Sequence, residues 1–361
     1  MTEAFLLSRI LLQFGDADED LLTDLSAAAR TPDGSLWVGS DELLTLERLS
    51  PLEPGIYGNH QPFFIGNFVD LFDDDDEIDI EGMDYNDGYL WLTGSHSTKR
   101  NKPKGKKAKK DIRRLTEIKT DLNRYLLARI PIINGNPFRE CTDPQDLDRK
   151  LTAASLAKTD EFNVLFETLK SDPHLGPFVA NNIPSKDNGL DIEGLAVKGD
   201  RVFLGLRGPV LRGWAVILEF EVYESEPGVL HLKEIGENDR VYKKHFVDLD
   251  GLGIRELAFW DDNLIVLAGP TMDLDGAMRV FCLRDILDSD EQQLLDRDSK
   301  KLSALFDFPY RVGCDRAEGL AIVPCLNYEK ALFVVYDSPH ANRMVGKDAI
   351  FADVYRLPDC D

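Results

Sequence analysis

A short frame that recurs along the chain constrains the fold more than any other feature of the sequence. Asp191-Ile192-Glu193-Gly194-Leu195-Ala196-Val197 is matched by Arg316-Ala317-Glu318-Gly319-Leu320-Ala321-Ile322, and the same frame fits Asp79-Ile80-Glu81-Gly82-Met83-Asp84-Tyr85. With arginine in place of the glutamate it fits Gly253-Ile254-Arg255-Glu256-Leu257-Ala258-Phe259, and alignment on the turns that follow puts Ala27 at the equivalent point of a first unit. Each copy opens a segment with one plan: a short apolar strand, a Gly/Asp/Asn turn, then a more apolar strand ending in a small or charged cluster. The segments are 26–41, 79–97, 191–209, 253–270 and 316–339. Self-similarity at a fixed period marks repeat architectures, in which each unit buries its faces against its neighbours.

The intervals between copies are alike except from Glu81 to Glu193, which is nearly twice as long. The excess lies at about 137–186, where Leu156, Phe162, Leu165, Phe166 and Leu169 recur at helical spacing between Asp and Pro punctuation, so an inserted helical excursion is predicted there. Five units remain. Alternating or β-branched segments such as 201–206, 214–222 and 242–247 supply further strands, and four-stranded units in a ring are the plan of a β-propeller. The chain is thus predicted to be all-β, a single propeller domain of five four-stranded blades over 1–361. Its last unit has three strands, and the N-terminal segment 5–14 is strand-like with no blade of its own. That segment is expected to complete the last sheet and close the ring, which removes an exposed edge.

Bulk properties narrow the partners. A formal net charge of −23 repels phosphate backbones and anionic headgroups, which argues against nucleic acid and membrane surfaces as targets. No run reaches the roughly 18 apolar residues of a membrane helix, and the first residues lack the basic start and cleavage site of a signal peptide. Cys141, Cys282, Cys314, Cys325 and Cys360 are scattered and odd in number, which predicts reduced thiols and a cytoplasmic location.

In a propeller the first strand of each blade lines the central channel, and its start shares a face with the loop leaving the second strand. That geometry gathers Asp79, Glu81, Asp191, Glu193, Arg255, Arg316 and Glu318 with Asp41, His96, Arg207, Asp337 and His340. Carboxylates packed this closely raise one another's pKa unless cations compensate. Hard oxygen donors suit Ca²⁺ or Mg²⁺, with Glu81, Glu193 and Glu318 as candidate ligands. Arg255 competes with a metal for those carboxylates; with Arg207 and Arg316 it favours a small anionic ligand, Asp41 and Asp337 standing on the rim. His96, in Thr93-Gly94-Ser95-His96-Ser97, is a candidate acid or base beside Glu193. Neither a nucleophile elbow nor a metalloprotease helix motif occurs. The structural alternative is that the glutamates simply pair with the arginines. Eight basic residues between Lys99 and Lys110 predict a disordered loop at the same mouth, able to draw an anion against the overall charge.

The stretch Pro184-Ser185-Lys186-Asp187-Asn188-Gly189-Leu190-Asp191-Ile192-Glu193-Gly194-Leu195-Ala196-Val197, continuing through Leu206-Arg207-Gly208-Pro209-Val210-Leu211-Arg212-Gly213-Trp214-Ala215, resembles the bacterial domain-of-unknown-function family numbered 3616. Gly94-Ser95-His96-Ser97 and Arg316-Ala317-Glu318-Gly319-Leu320 resemble it too. The resemblance implies a propeller distantly similar to phytase-like esterases and to metal-binding propellers, in which an Asn/Asp/Glu set holds one divalent ion; part of such a set is visible here. Two function classes follow. One is a small-molecule-binding, hydrolase-like propeller, in which the cation polarises an ester or phosphoryl oxygen. The other is a non-catalytic scaffold for a protein partner, with purely structural channel charges.

Overall fold

The structure, a computed structural model, describes residues 3–15, 19–236, 239–289 and 291–360. Four antiparallel strands build each of five blades. Blade 1 runs Leu25–Arg30, Leu36–Ser40, Thr45–Glu53 and Ile56–Phe64 from the centre outward. Blade 2 comprises Ile80–Asn86, Tyr89–Gly94, Leu127–Ile133 and Ala154–Leu156. Blade 3 comprises Asp191–Lys198, Arg201–Gly208, Trp214–Glu226 and Lys243–Asp248. Blade 4 comprises Gly253–Trp260, Asn263–Gly269, Arg279–Leu283 and Leu302–Asp307. Blade 5 takes Arg316–Cys325, Tyr328–Asp337 and Ala349–Tyr355, and its fourth strand is the N-terminal Leu6–Gln13. The five inner strands contact one another in a closed circle. The ring closes as the missing last strand predicts.

Second strands are buried along nearly their whole length because both faces of a blade meet neighbouring blades, so they read as continuous apolar runs rather than alternation. The core accordingly divides into five clusters, one between each pair of adjacent blades. Trp37 and Leu46 meet Ile80 and Leu92 between blades 1 and 2, for example, and Ile10 and Leu12 join Phe333 and Val38 where blade 5 meets blade 1. Parallel pairs tie outer edges together: Ser155 with Val229, His245 with Gln293, and Leu11 with Ile56. Edges that would otherwise invite foreign strands are thereby occupied.

Three expectations change. Scattered cysteines predict thiols, yet Cys282 on the third strand of blade 4 is joined to Cys360, because the tail after the last strand crosses onto blade 4, where the Arg284 guanidinium donates to the Cys360 carbonyl at 3.1 Å. No spacing shows that proximity, and the premise for a reducing compartment goes with it; Cys141, Cys314 and Cys325 are free. The interval 137–186 is only partly helical: Glu140–Thr142 and Lys150–Thr152 form a hairpin and Ala154–Leu156 is the outer strand of blade 2. The helices Val164–Leu169 and Gly176–Val179 come after it, the first capped by the Asn163 side chain and burying Leu165, Phe166 and Leu169. The basic segment 99–110 has ordered structure as part of a ribbon, Lys99–Arg100 paired with Ile118–Lys119, that carries the helix Ala108–Arg114. Anchors hold it, including Lys99 on Glu77 and the Arg100 Nε on Asp187 at 2.7 Å. Among the described residues, no helix is long and apolar enough to cross a membrane.

Candidate functional site at the channel mouth

Every inner strand carries a β-bulge at the same place, and that bulge builds the site. In blades 2, 3 and 4 the register skips Glu81, Glu193 and Arg255; in blade 5 it skips Glu318 with Gly319, and in blade 1 it skips Ser26. A bulged residue is freed from the ladder and its side chain re-aimed, here into the channel for Glu81, Glu193, Arg255 and Glu318. The glycine after the glutamate has a steric reason: a Cβ on Gly82 would lie 2.7 Å from the Leu195 Cβ, and one on Gly194 2.9 Å from the Leu257 Cγ. In blade 4 Glu256 takes the glycine's place and turns its Oε1 onto the backbone N–H groups of Leu195 and Leu257, at 2.9 and 2.8 Å. This register corrects the alignment by one residue. Ser26, not Ala27, is the blade 1 equivalent of the glutamates; its hydroxyl donates to the Ile80 carbonyl of blade 2.

The bulges open into a cavity of about 560 Å³ at one mouth of the channel. Glu81, Glu193, Arg255 and Glu318 line it, as do Arg207, Arg316, Asp41 and Asp337. Residues over two hundred positions apart in the chain thus share one wall. His96 is not among them. It takes a left-handed backbone conformation with φ of 53°, as Ser338 does at the matching point of blade 5. Its ring is 1% exposed, edge-on to Tyr125, with Nδ1 2.9 Å from the Gly94 carbonyl and Nε2 2.7 Å from the Asn163 amide nitrogen. Burial drives its pKa down to about 4. His96 is a neutral brace between blade 2 and the helical insertion, not an acid or base at the mouth. His340 is likewise off the cavity, accepting at Nδ1 from the Asn342 N–H at 3.2 Å.

The deep wall is an alternating chain of charges. Arg207 pairs with Asp191 and, at 2.6 Å, with Glu193. Glu193 also takes the Arg255 Nε at 2.9 Å, and Arg255 reaches on to Glu318 of blade 5. Arg124 extends the chain in blade 2, holding Asp79 at 2.5 Å and also Glu77, and Arg316 stands 3.4 Å from Asp337. Arg124 and Glu77 lie outside the repeated frame, Arg124 on the short helix Leu122–Tyr125, and sequence reasoning missed both. The only signal was their place beside the mouth-forming segments.

Compensation is incomplete. Glu193 remains raised to about 7, because burial outweighs the pull of Arg207 and Arg255. Glu81 has no hydrogen-bond or ion-pair partner among the described residues; burial, then Glu193, Asp79, Asp191 and Asp41, hold its carboxyl well above the usual range. Burial and the charges of Asp79, Asp24, Asp337 and Glu42 push Asp41 up to about 8. Asp41 is therefore largely protonated at neutrality for want of a cation, and the Glu81 carboxyl is pushed in the same direction.

A divalent ion does not fit Glu81, Glu193 and Glu318, since Glu193 is held by two guanidinium groups and Glu318 by one. Among the described residues no group of three or more His, Cys, Asp or Glu is arranged to hold a metal. Nor are Arg207 and Arg255 free to receive an anion, being paired already. Lys102, Arg114 and Lys119 of the ribbon also line the cavity and have no carboxylate partners among the described residues. Lys186 lines it too, 3.6 Å from Asp273; burial and Lys102 lower its pKa.

A family model for a protein of unknown function, DUF3616, matches residues 24–353. The chain belongs to that family. No curated protein sequence matches this DUF3616 member. Among solved structures it is similar to virginiamycin B lyase from Staphylococcus aureus, with 8% identity and a TM-score of 0.37 over 97% of this chain and 99% of that one. It is also similar to the PQQ-bound aldose sugar dehydrogenase of Streptomyces coelicolor, with 10% identity and a TM-score of 0.38 over 98% of this chain and 99% of that one. Reading this DUF3616 chain as a propeller rests on its own strand pairing, and its site on its own side chains.

Proposed function

We propose that the protein binds a small anionic molecule at the mouth of its central channel, with the anionic group held by Lys102, Arg114 and Lys119. One observation carries this reading. These ribbon cations have no carboxylate partners among the described residues, yet they share a cavity wall with deep arginines that are all paired. An anion arriving there meets unspent positive charge and need not break the Glu193–Arg255–Glu318 chain. The cavity volume of about 560 Å³ suits a metabolite-sized ligand. Hydrolase-like chemistry would draw on Glu81, a cavity-lining carboxyl whose pKa burial and neighbouring carboxylates raise.

Isothermal titration calorimetry with succinate and glycerol 3-phosphate tests the reading. Binding should weaken as salt is raised, since the ribbon lysines are exposed, and should fall at least tenfold in Lys102→Ala/Lys119→Ala. Affinity indifferent to both changes would sink it.

A further inference from the structure

The bulge ring is not symmetric, and its asymmetry specifies chemistry. In ring order the five positions are Ser26, Glu81, Glu193, Arg255 and Glu318. Arg255 sits between two glutamates from the flanking blades and is clasped by both. Ser26 also sits between glutamates from flanking blades, Glu318 on one side and Glu81 on the other. Adjacency is direct: the Ser26 hydroxyl bonds the Ile80 carbonyl next to Glu81, and a Cβ on Gly319, next to Glu318, would lie 2.7 Å from the backbone of Ala27. Ser26 is too short to answer either carboxylate and spends its only donor on the backbone. The seat beside Ser26 therefore has a Glu81 carboxyl with no cation among the described residues and a Glu318 carboxyl whose Oε1 is engaged by Arg255 from its other side.

Independent observations surround that seat. Glu81 lines the cavity with no partner among the described residues, and a buried Asp41 carboxylate oxygen also lacks one. Asp337 borders the same side, its nearest cation Arg316 being 3.4 Å away and 43% exposed. The basic ribbon borders the other. The cavity is polarised, with uncompensated carboxyls against blade 1 and uncompensated cations on the ribbon.

We propose that the ligand supplies the missing cation: an ammonium or guanidinium group seats beside Ser26 between Glu81 and Glu318, as Arg255 sits between Glu193 and Glu318. The bound molecule is then a zwitterion, an amino or guanidino acid whose cationic end lies deep and whose anionic end meets the ribbon. The anionic half of this inference rests on the reading above; the cationic half stands without it.

Calorimetry with four probes separates the two halves. L-Arginine carries both groups, agmatine only the cation, L-citrulline a neutral urea in place of the guanidinium, and succinate only anions. L-Arginine and agmatine should bind, L-citrulline at least tenfold more weakly than L-arginine, and Glu81→Gln should weaken agmatine at least tenfold. That variant removes an unpartnered carboxyl, so its melting temperature should not fall, and lost binding cannot then be blamed on unfolding. Agmatine that fails to bind, or binds Glu81→Gln equally well, overturns the cation seat; succinate binding in that case leaves the ribbon reading intact. Conversely, if agmatine binding depends on Glu81 while Lys102→Ala/Lys119→Ala leaves L-arginine unaffected, the seat survives and the ribbon reading falls. If none of the four binds, both fail.

Discussion

Replacing Arg255 by methionine tests the charge chain that holds the mouth together. Arg255 is 8% exposed and Glu193 2%, so removing the guanidinium strands Glu318 and leaves Glu193 with Arg207 alone, in a place that water cannot fully reach. Breaking one member of such a buried set costs about 3–5 kcal/mol. At about 2.1 cal/mol/K of unfolding entropy per residue, 361 residues give roughly 0.8 kcal/mol/K, so the melting temperature should fall by about 4–6 °C. The loss should depend on pH in a definite direction. Glu193 is raised to about 7 even with its arginines, so it is largely protonated at pH 5.5 in both proteins and its share of the penalty vanishes there. Without Arg255 its pKa rises further, and the penalty grows as pH climbs past 7. Differential scanning calorimetry at pH 5.5 and 8.5 should show the larger drop at 8.5. Adding Glu193→Gln and Glu318→Gln should recover most of it, because the charges then leave together. A melting temperature within a degree of the parent at pH 8.5, or equal losses at both pH values, would refute the assignment of Arg255 as the counter-charge.

Other expectations follow from single contacts. Leu12→Ala, at a fully buried position of the closing N-terminal strand, should cost about 2–5 kcal/mol in chemical denaturation, whereas Phe5→Ala at a 60% exposed position should be nearly neutral; equal effects would count against closure. Asp41→Asn should stabilise the protein increasingly as pH rises from about 4 to about 8. The wild-type carboxyl prefers its protonated form in the fold, so the stability it contributes at low pH is lost over that window. A flat difference between the two melting curves across those pH values would contradict this. The His96 ring, with its pKa lowered to about 4, should show no NMR titration above pH 5; as pH falls below the ordinary 6.5 the unfolded chain takes up a proton that the fold refuses, costing up to about 3 kcal/mol. Titration near 6.5 would place His96 in solvent instead.

The fold was legible because its repeat has a steric cause. Glycine must follow the bulged glutamate wherever the next inner strand approaches, so Glu81-Gly82, Glu193-Gly194 and Glu318-Gly319 advertise three blades. Blade 4 hides the pattern behind Arg255-Glu256, since a glutamate that satisfies two backbone N–H groups can replace the glycine. Blade 1 hides it behind Ser26-Ala27, which has neither signature residue, and the alignment slipped by one position there. The helical insertion was overextended for a different reason. Ala154–Leu156 is three residues long, too short for period-two alternation to show, and its identity as a strand comes from partners in Leu127–Ile133 and Val229–Leu232.

The mouth was legible where it is made by ring geometry and opaque where it is made by excursions. Asp41, Arg207 and Asp337 end second strands and Glu81, Glu193, Arg255 and Glu318 are bulged, so the ring brings them together whatever the loops do. His96 follows the same strand end in blade 2, but its backbone turns left-handed there and swings the ring outward onto Tyr125 and Asn163, which belong to the segment and the insertion beyond. Arg124 takes the place that His96 was expected to fill: its guanidinium meets Asp79 and Glu77 and the Ser97 hydroxyl at 3.1 Å, where the strand end opens onto the channel. Blade 2 thus presents a permanent cation where a titratable imidazole was expected. This moves proton chemistry at the mouth away from histidine and onto Glu81 and Asp41, which have no counter-charge among the described residues. A ligand cation seated beside them would favour their ionised forms, so binding should release protons to buffer, a quantity that calorimetry in buffers of different ionisation enthalpy measures directly.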